Sequence, residues 1–244
     1  MIFEEHESRQ YNTRGAYHWQ QISKSIHSHN SLQSARYDLV VKALGDFKGK
    51  NILDIGGGDG VLCYKLSKRG AISINVDMSE LGLQLAQSEF SKRGLTALVT
   101  EASAYGLPFL TNSFYAVTCC DVIEHLESPQ VLLAETKRVL KPGGTFILTT
   151  PLRITEEPYN SEHVHEFFPN ELASLLSSAF KIRSITPFAP VAFLELYTLR
   201  LRWFKHRPLF HYIINFLDIH LRWNPFRFSS PFHFLSMVMV VMQK

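Results

Sequence analysis

The chain of 244 residues has no apolar run approaching the roughly 20 residues that a membrane-spanning helix requires. Cysteine is scarce: Cys63, Cys119 and Cys120 are the only three, two of them adjacent, and none has metal-ligand spacing. A disulfide framework and a structural zinc site are excluded, and a reducing, cytoplasmic setting is expected. The opening MIFEEHESRQ is polar and acidic, unlike the apolar stretch of a secretory signal. Internal repeats and low-complexity tracts are missing. Glycine, 13 residues in all, is sparse except in one place.

That place is NILDIGGGDG, residues 51–60, where four glycines fall within five positions directly after an apolar run ending in an acid. Glycine at this density costs backbone entropy, so close approach of a ligand to the main chain is implied. The pattern is not a P-loop, because no Lys-Ser/Thr follows. Nor is it a dinucleotide fingerprint, since Val61 holds the place of the third glycine.

Around this loop, helical and strand patterns alternate. SLQSARYDLVVKALGDF spaces Leu32, Ala35, Leu39, Val40, Ala43 and Leu44 on one helical face, with Ser31 expected as its N-cap. Strand KNILDI, helix GVLCYKLSKRG and strand AISINVD follow. Then come a helix from Ser79 to Arg93, strands TALVTEA and YAVTCC, a helix opened by Ser128 and Pro129, and strand TFILTTP. Helix PNELASLLSSAF, strand KIRSITPF and a closing strand in FHFLSMVMVVMQK complete the chain. The expectation is an α/β fold: a doubly wound, mostly parallel, seven-stranded sheet with a helical insertion before its last strand. Residues 1–30 form an arm or lid, 31–190 with 231–244 the ligand-binding domain, and 191–230 the insertion.

A glycine turn between strand and helix suits an anionic or polar ligand. Asp77 ends the second strand, 23 residues after Asp54, about where a carboxylate can accept both ribose hydroxyls of a nucleoside.

LDIGGGDG, VDMSE, LPFLTNSFYAVTCCDVIEHLESP and VLKPGGTFILTTP together resemble the class I S-adenosylmethionine-dependent methyltransferases in order and spacing, from about Ser31 to Phe180. The resemblance implies S-adenosylmethionine as cofactor. Asp54, Gly56, Gly57 and Gly58 would approach its methionine part, Asp77 would hold the ribose and Met78 would pack on the adenine. Glu101 and Ala102 would lie near the adenine amino group, although the family often has Asp where Glu101 stands. A closer likeness is to the ubiquinone-biosynthesis O-methyltransferases, which share an arginine 18 residues before the motif acid, here Arg36. It implies that Arg36 pairs with the cofactor carboxylate, a task that a guanidinium fork suits, and that Cys120 contributes a backbone contact. In that subfamily acids and a histidine matching Asp121, Glu124 and His125 can hold magnesium. Two carboxylates and one imidazole make a modest magnesium site, and no metal is assigned.

Methyl transfer to a hydroxyl requires alignment of the acceptor and a base. His163, His165 and Glu166, in the loop EEPYNSEHVHEFFPNEL after the fifth strand, are the candidates, with His165 foremost and His125 second. The alternative is that His165 and Glu166 only brace the following helix. Tyr17, His18 and Trp19 in the arm offer stacking surface to an acceptor. The expected acceptor is a small molecule, a glycan or a lipid-linked compound, methylated at oxygen. The alternatives are a nitrogen- or carbon-directed enzyme and a binding module without catalysis. Nucleic acid is not an expected partner, since no RNA-binding motif is present.

Charge is unevenly spread. Residues 181–244 carry 9 Lys/Arg against 2 Asp/Glu, whereas residues 1–180 carry 16 against 20. In the insertion, Leu194, Tyr197, Leu201 and Phe204 fall at helical spacing, as do Phe210, Ile213, Ile214, Leu217 and Leu221. Two short amphipathic helices are expected. They are flanked by Arg200, Arg202, Lys205, Arg207, Arg222 and Arg227, with Trp203 and Trp223 beside them. Such a segment serves as a lid, as a contact with an anionic membrane, or as a dimer contact.

Overall fold

The structure is a computed structural model that describes residues 10–153, 156, 160, 162–199, 209–229 and 235–244. Seven strands form one sheet: β1 (Asn51–Ile55), β2 (Ile72–Asp77), β3 (Leu98–Glu101), β4 (Phe114–Cys120), β5 (Leu140–Pro151), β6 (Lys181–Pro190) and β7 (Leu235–Gln243). Their order is β3-β2-β1-β4-β5-β7-β6. The first five pair in parallel, and β7 runs antiparallel between β5 and β6. The order reverses beside β1. In an open parallel sheet the ligand crevice lies at that reversal, outside the carboxyl ends of the strands.

Period-two alternation supplies both faces of the sheet. Leu53 and Ile55 of β1, Val117 and Cys119 of β4, and Phe146 and Leu148 of β5 enter one core with Leu132 and Leu172. Ile52, Ala116 and Ile147 point the other way, toward Val40, Leu62 and Phe188. The covering helices are α1 (Tyr17–Gln21), α2 (Ser31–Ala43), α3 (Val61–Ser67), α4 (Glu80–Ser91), α5 (Pro129–Val139) and α6 (Pro169–Ser177). Two further helices, α7 (Val191–Thr198) and α8 (Leu209–Leu221), lie between β6 and β7 as the insertion requires.

Two expected caps differ. Asn30, not Ser31, caps α2 by accepting the Gln33 N–H at 3.1 Å. The Ser31 hydroxyl instead donates to Asn215 of α8 at 2.7 Å. Ser128 occupies the cap position of α5, but its side chain makes no cap bond; Pro129 supplies the helical start.

Tyr197 of α7 and Ile214 of α8, both on the expected apolar faces, are buried, but Ile213 and Leu221 of the same α8 face are not. The buried residues of α8 are Ile214, Asn215 and Asp218. Ile213, Phe216 and Leu221 remain exposed, Leu221 by 63%. Polar groups face inward because each finds a partner there. Asn215 donates to the carbonyls of Ile26 and His29 and accepts from the Tyr197 hydroxyl. Asp218 accepts from His29 at 2.9 Å, from Asn224 at 2.8 Å and from Arg227 at 3.1 Å. Leu201, Trp203, Phe204 and the cationic residues Arg200, Arg202, Lys205 and Arg207 lie outside the described residues.

Asp218→Ala strips three donors of a buried carboxylate, and removing one partner of a buried charged pair costs about 3–5 kcal/mol. The melting temperature is expected to fall by about 10 °C in a calorimetric scan. An unchanged transition would mean that the insertion is held by its apolar contacts alone.

Candidate functional site

The glycine turn is shaped by crowding. An added Cβ would meet the Val122 side chain at Gly56, Asn75 and the Asp54 carboxyl at Gly57, and the Tyr11 hydroxyl at Gly58. Gly56 and Gly58 also have positive φ, +68° and +50°, a region that side chains disfavour. Asp77 pins the turn by accepting from Gly58 N–H at 2.7 Å, and it accepts from Ser79 N–H at 2.8 Å. Asn75 donates to the Gly58 carbonyl at 2.9 Å. Asp54 stands on β1 between β2 and β4, where Thr118 donates to it at 2.7 Å.

Both acids are buried and, among the described residues, neither forms an ion pair. Burial pushes the Asp54 carboxyl up to about 7, against the Thr118 hydrogen bond, and the nearby Asp77 adds to the rise. Burial raises Asp77 as well, opposed by the hydrogen bonds from Ser79 and Gly58. Burial also pushes the Cys120 thiol up, so Cys120 is a neutral thiol at this wall.

These residues bound a cavity of about 390 Å³ at the carboxyl edge of the sheet. Arg36, Asp54, Gly56, Gly57, Gly58, Asp77, Met78, Ala102 and Cys120 all line it. Glu101 does not. It ends the edge strand β3 with its side chain in solvent, and Ala102 and Ala104 form the wall instead. Arg36 is nine-tenths buried; its Nη1 pairs with Asp121, and its Nε has no partner.

At the other end, His163 lines the cavity. Its Nδ1 lies 3.0 Å from Glu166 Oε1, and its Nε2 lies 3.1 Å from Asn160 Nδ2. A carboxylate facing Nδ1 and an amide donor facing Nε2 leave the lone pair on Nε2. His165, expected as the leading base, lies outside this cavity. Its backbone N–H donates to the Glu124 carbonyl at 2.9 Å, and its ring stacks on Phe167. Its Nε2 is buried without a hydrogen-bond partner. His125 lines the cavity edge-on to His163, with Nδ1 3.3 Å from the Glu162 carbonyl.

The magnesium triad that the resemblance suggests does not fit. Asp121 is engaged by Arg36. Burial, and then Asp121, hold the Glu124 carboxyl well above its usual range. Glu124, His125 and His163 do bring ligand atoms within 4.8 Å of one another. One carboxyl and two imidazoles suit a transition metal better than magnesium.

The arm closes one side of the cavity with Tyr11, Tyr17 and His18. Trp19 is buried away from it, donating to the Asp59 carbonyl at 2.7 Å and packing on Tyr64 and Phe90. Asp59 also accepts from the His18 backbone at 3.1 Å and faces His18 Nδ1 at 3.1 Å. Asp59, Asn75 and Thr118 hold this site together without being expected there from the sequence. Only Asp59, inside the glycine run, carried a local signal.

Comparison with known proteins agrees with this geometry. Residues 53–148 match a family described as a methyltransferase domain. A ubiquinone biosynthesis O-methyltransferase of Alkalilimnicola ehrlichii is 33% identical over 155 residues, 60% of this chain and 59% of that protein. One from Methylococcus capsulatus is 32% identical over 128 residues, 52% of each chain. The chain thus spans between half and three fifths of these curated relatives. Phosphoethanolamine N-methyltransferase 2 of Haemonchus contortus, solved with S-adenosyl-L-methionine, superposes with a TM-score of 0.69 at 19% identity, covering 99% of this chain and 60% of that one. Residues 53–148 thus match a methyltransferase-domain family, and the fold of the chain is the one shared with these solved methyltransferases.

Proposed function

We propose that the chain transfers a methyl group from S-adenosylmethionine to an oxygen of a small-molecule or lipid-linked acceptor. The observation that carries this reading is one cavity with two chemically different ends: a glycine turn with Asp77 at one, and the His163–Glu166 pair at the other. The residues present suit the cofactor. Gly56, Gly57 and Gly58 line the cavity, and the Arg36 Nε is a buried donor without an acceptor. Asp77 would hold the ribose, Arg36 the carboxylate and Met78 one face of the adenine. When bound, the cofactor supplies a sulfonium methyl group that is transferred by in-line displacement. His163 Nε2 would take the acceptor proton once the acceptor displaces the Asn160 amide that now donates to it, with Glu166 fixing the ring and stabilising the imidazolium that forms. Tyr17 and His18 would close the arm side.

The lipid-linked option is supported by the insertion. Ile213, Phe216, Leu221, Trp223 and Phe228 are exposed apolar side chains next to a strongly cationic stretch of sequence. Among the described residues, no helix is long and apolar enough to cross a membrane. Peripheral contact through 191–230 fits both facts. No described residue of the insertion lines the cavity, which disfavours the lid.

The role of His163 predicts that His163→Ala lowers the maximal methyl-transfer rate by ~10²–10⁴ at unchanged cofactor affinity, and that His165→Ala keeps it within a few-fold. The acceptor is to be found by screening phenols, sugars and lipid-linked intermediates. Equal losses in the two variants would return the base to His165 or to neither.

Asp54 makes cofactor binding pH-dependent. The folded carboxyl releases its proton near 7, the unfolded one near 3.8. Between those values the free folded protein holds the extra proton, so its stability falls as pH rises. The ammonium and sulfonium of the cofactor favour the ionised form. Affinity is therefore expected to increase about tenfold from pH 6 to pH 8, with proton release, in calorimetry across buffers of different ionisation enthalpy. A flat profile would remove Asp54 from the methionine end.

Membrane contact predicts sedimentation with anionic vesicles at low salt and none with neutral ones. Replacing Arg200, Arg202, Lys205 and Arg207 with glutamine removes about 1 kcal/mol per charge and should abolish it. Absence of binding to anionic vesicles would favour a soluble acceptor.

A further inference from the structure

Arg36 is held from one side only. Its guanidinium sits in the cavity wall nine-tenths buried, with Nη1 on the Asp121 carboxylate and Nε unsatisfied. A buried donor without a partner is costly, and this one belongs to a residue that lines the cavity. Asp121 is also unusual in its backbone. It is one of four non-glycine residues with positive φ among those described, at +56°, immediately after the end of β4. Two bonds to β5 hold it there: its N–H donates to the Thr149 carbonyl at 3.0 Å, and its Oδ1 accepts from the Thr149 hydroxyl at 3.4 Å. An unfavourable backbone conformation maintained by neighbouring contacts at a ligand site points to a function.

We propose that Asp121 is a positioning residue for recognition of the cofactor carboxylate: it occupies the Nη1 side of Arg36, a residue of the cavity wall, and leaves the unpartnered Nε for a second carboxylate. The inference rests on S-adenosylmethionine being the cofactor and adds how its amino-acid end is read. A guanidinium offers five donors in a rigid plane, enough for carboxylates on two edges. With Asp121 fixed to β5, Arg36 cannot rotate to spend both edges on one partner. The fork is thereby oriented before the ligand arrives, and less conformational freedom is lost on binding.

The experiment measures, by calorimetry on the full chain, the affinities of S-adenosylhomocysteine and of its decarboxylated analogue. Their ratio isolates the carboxylate. Asp121→Asn is the informative variant, because asparagine tolerates positive φ as aspartate does and keeps an acceptor oxygen while losing the charge. The expected result is a loss of about tenfold or more for S-adenosylhomocysteine with the analogue unaffected, so that the ratio collapses. A role confined to folding would weaken both ligands equally and overturn the proposal. Tighter binding of S-adenosylhomocysteine by the variant would also overturn it, since Asp121 would then be a competitor of the cofactor carboxylate. If the wild-type chain binds neither ligand, the cofactor assignment itself fails; if it binds both and Asp121→Asn leaves their ratio unchanged, only the positioning role does.

Discussion

Two carboxylates, Asp54 and Asp77, are buried on neighbouring parallel strands; among the described residues neither forms an ion pair, and only His18 acts on Asp77 from nearby. Taking such groups out of water is expensive unless hydrogen bonds or protons compensate, and the architecture of the site follows from how that is arranged. Asp77 spends one oxygen on Gly58 N–H and the other on Ser79 N–H, so the same acid closes the glycine turn and starts α4. Asp54 has the Thr118 hydroxyl and a distant thiol, too little to keep it ionised, and it holds a proton up to about pH 7. A cationic ligand relieves both acids. Anionic ligands face them, which leaves Arg36 to reverse the sign locally at the far side of the cavity.

The pieces around this centre are joined by buried polar contacts. Asp59 lies inside the glycine run yet clamps the arm, through His18 and the Trp19 indole. Asn215 and Asp218 of α8 clamp the insertion to His29 and Ser31, at the start of α2. Asn30 and Gln33, on either side of that start, line the cavity. The insertion therefore reaches the site through one helix terminus, without entering it. Because Asn215, Asp218 and Asp59 each hold several partners at once, the arrangement is specific and sensitive to single substitutions.

The strands, the glycine turn and the place of Asp77 at the end of β2 were legible because each is imposed locally. Alternating burial writes the strands, steric crowding demands glycine, and a strand end followed by a cap demands Asp77 before Ser79. The lining positions Arg36, Met78, Ala102 and Cys120 became legible only through family resemblance, since nothing in their neighbours requires them. Side chains whose role depends on a distant partner were misplaced. Ser31 looks like a cap, but Asn215, far along the chain, takes its hydroxyl and leaves Asn30 to cap. Trp19 looks like an exposed stacking surface, but Asp59 draws its indole into the core. His163 and His165 are equivalent by type and nearly so by position; only the i, i+3 turn to Glu166 and the Glu124 carbonyl separate them.

The mixed apolar and polar inward face of α8 has the same origin. Hydrophobic periodicity states which residues share a helix face, and the inward side is then assigned by the cost of exposing apolar area, about 25 cal/mol per Å². That assignment fails when the inward face also carries polar groups with preformed partners, because leaving a buried donor or acceptor unmade costs about 1–3 kcal/mol each. Asn215 and Asp218 together satisfy the carbonyls of Ile26 and His29, the Ser31 and Tyr197 hydroxyls and the His29, Asn224 and Arg227 side chains. Rotating α8 to bury Phe216 and Leu221 would orphan that whole set at once. The apolar side chains left outside are the consequence, and they give the insertion a surface whose chemistry differs from that of the rest of the fold.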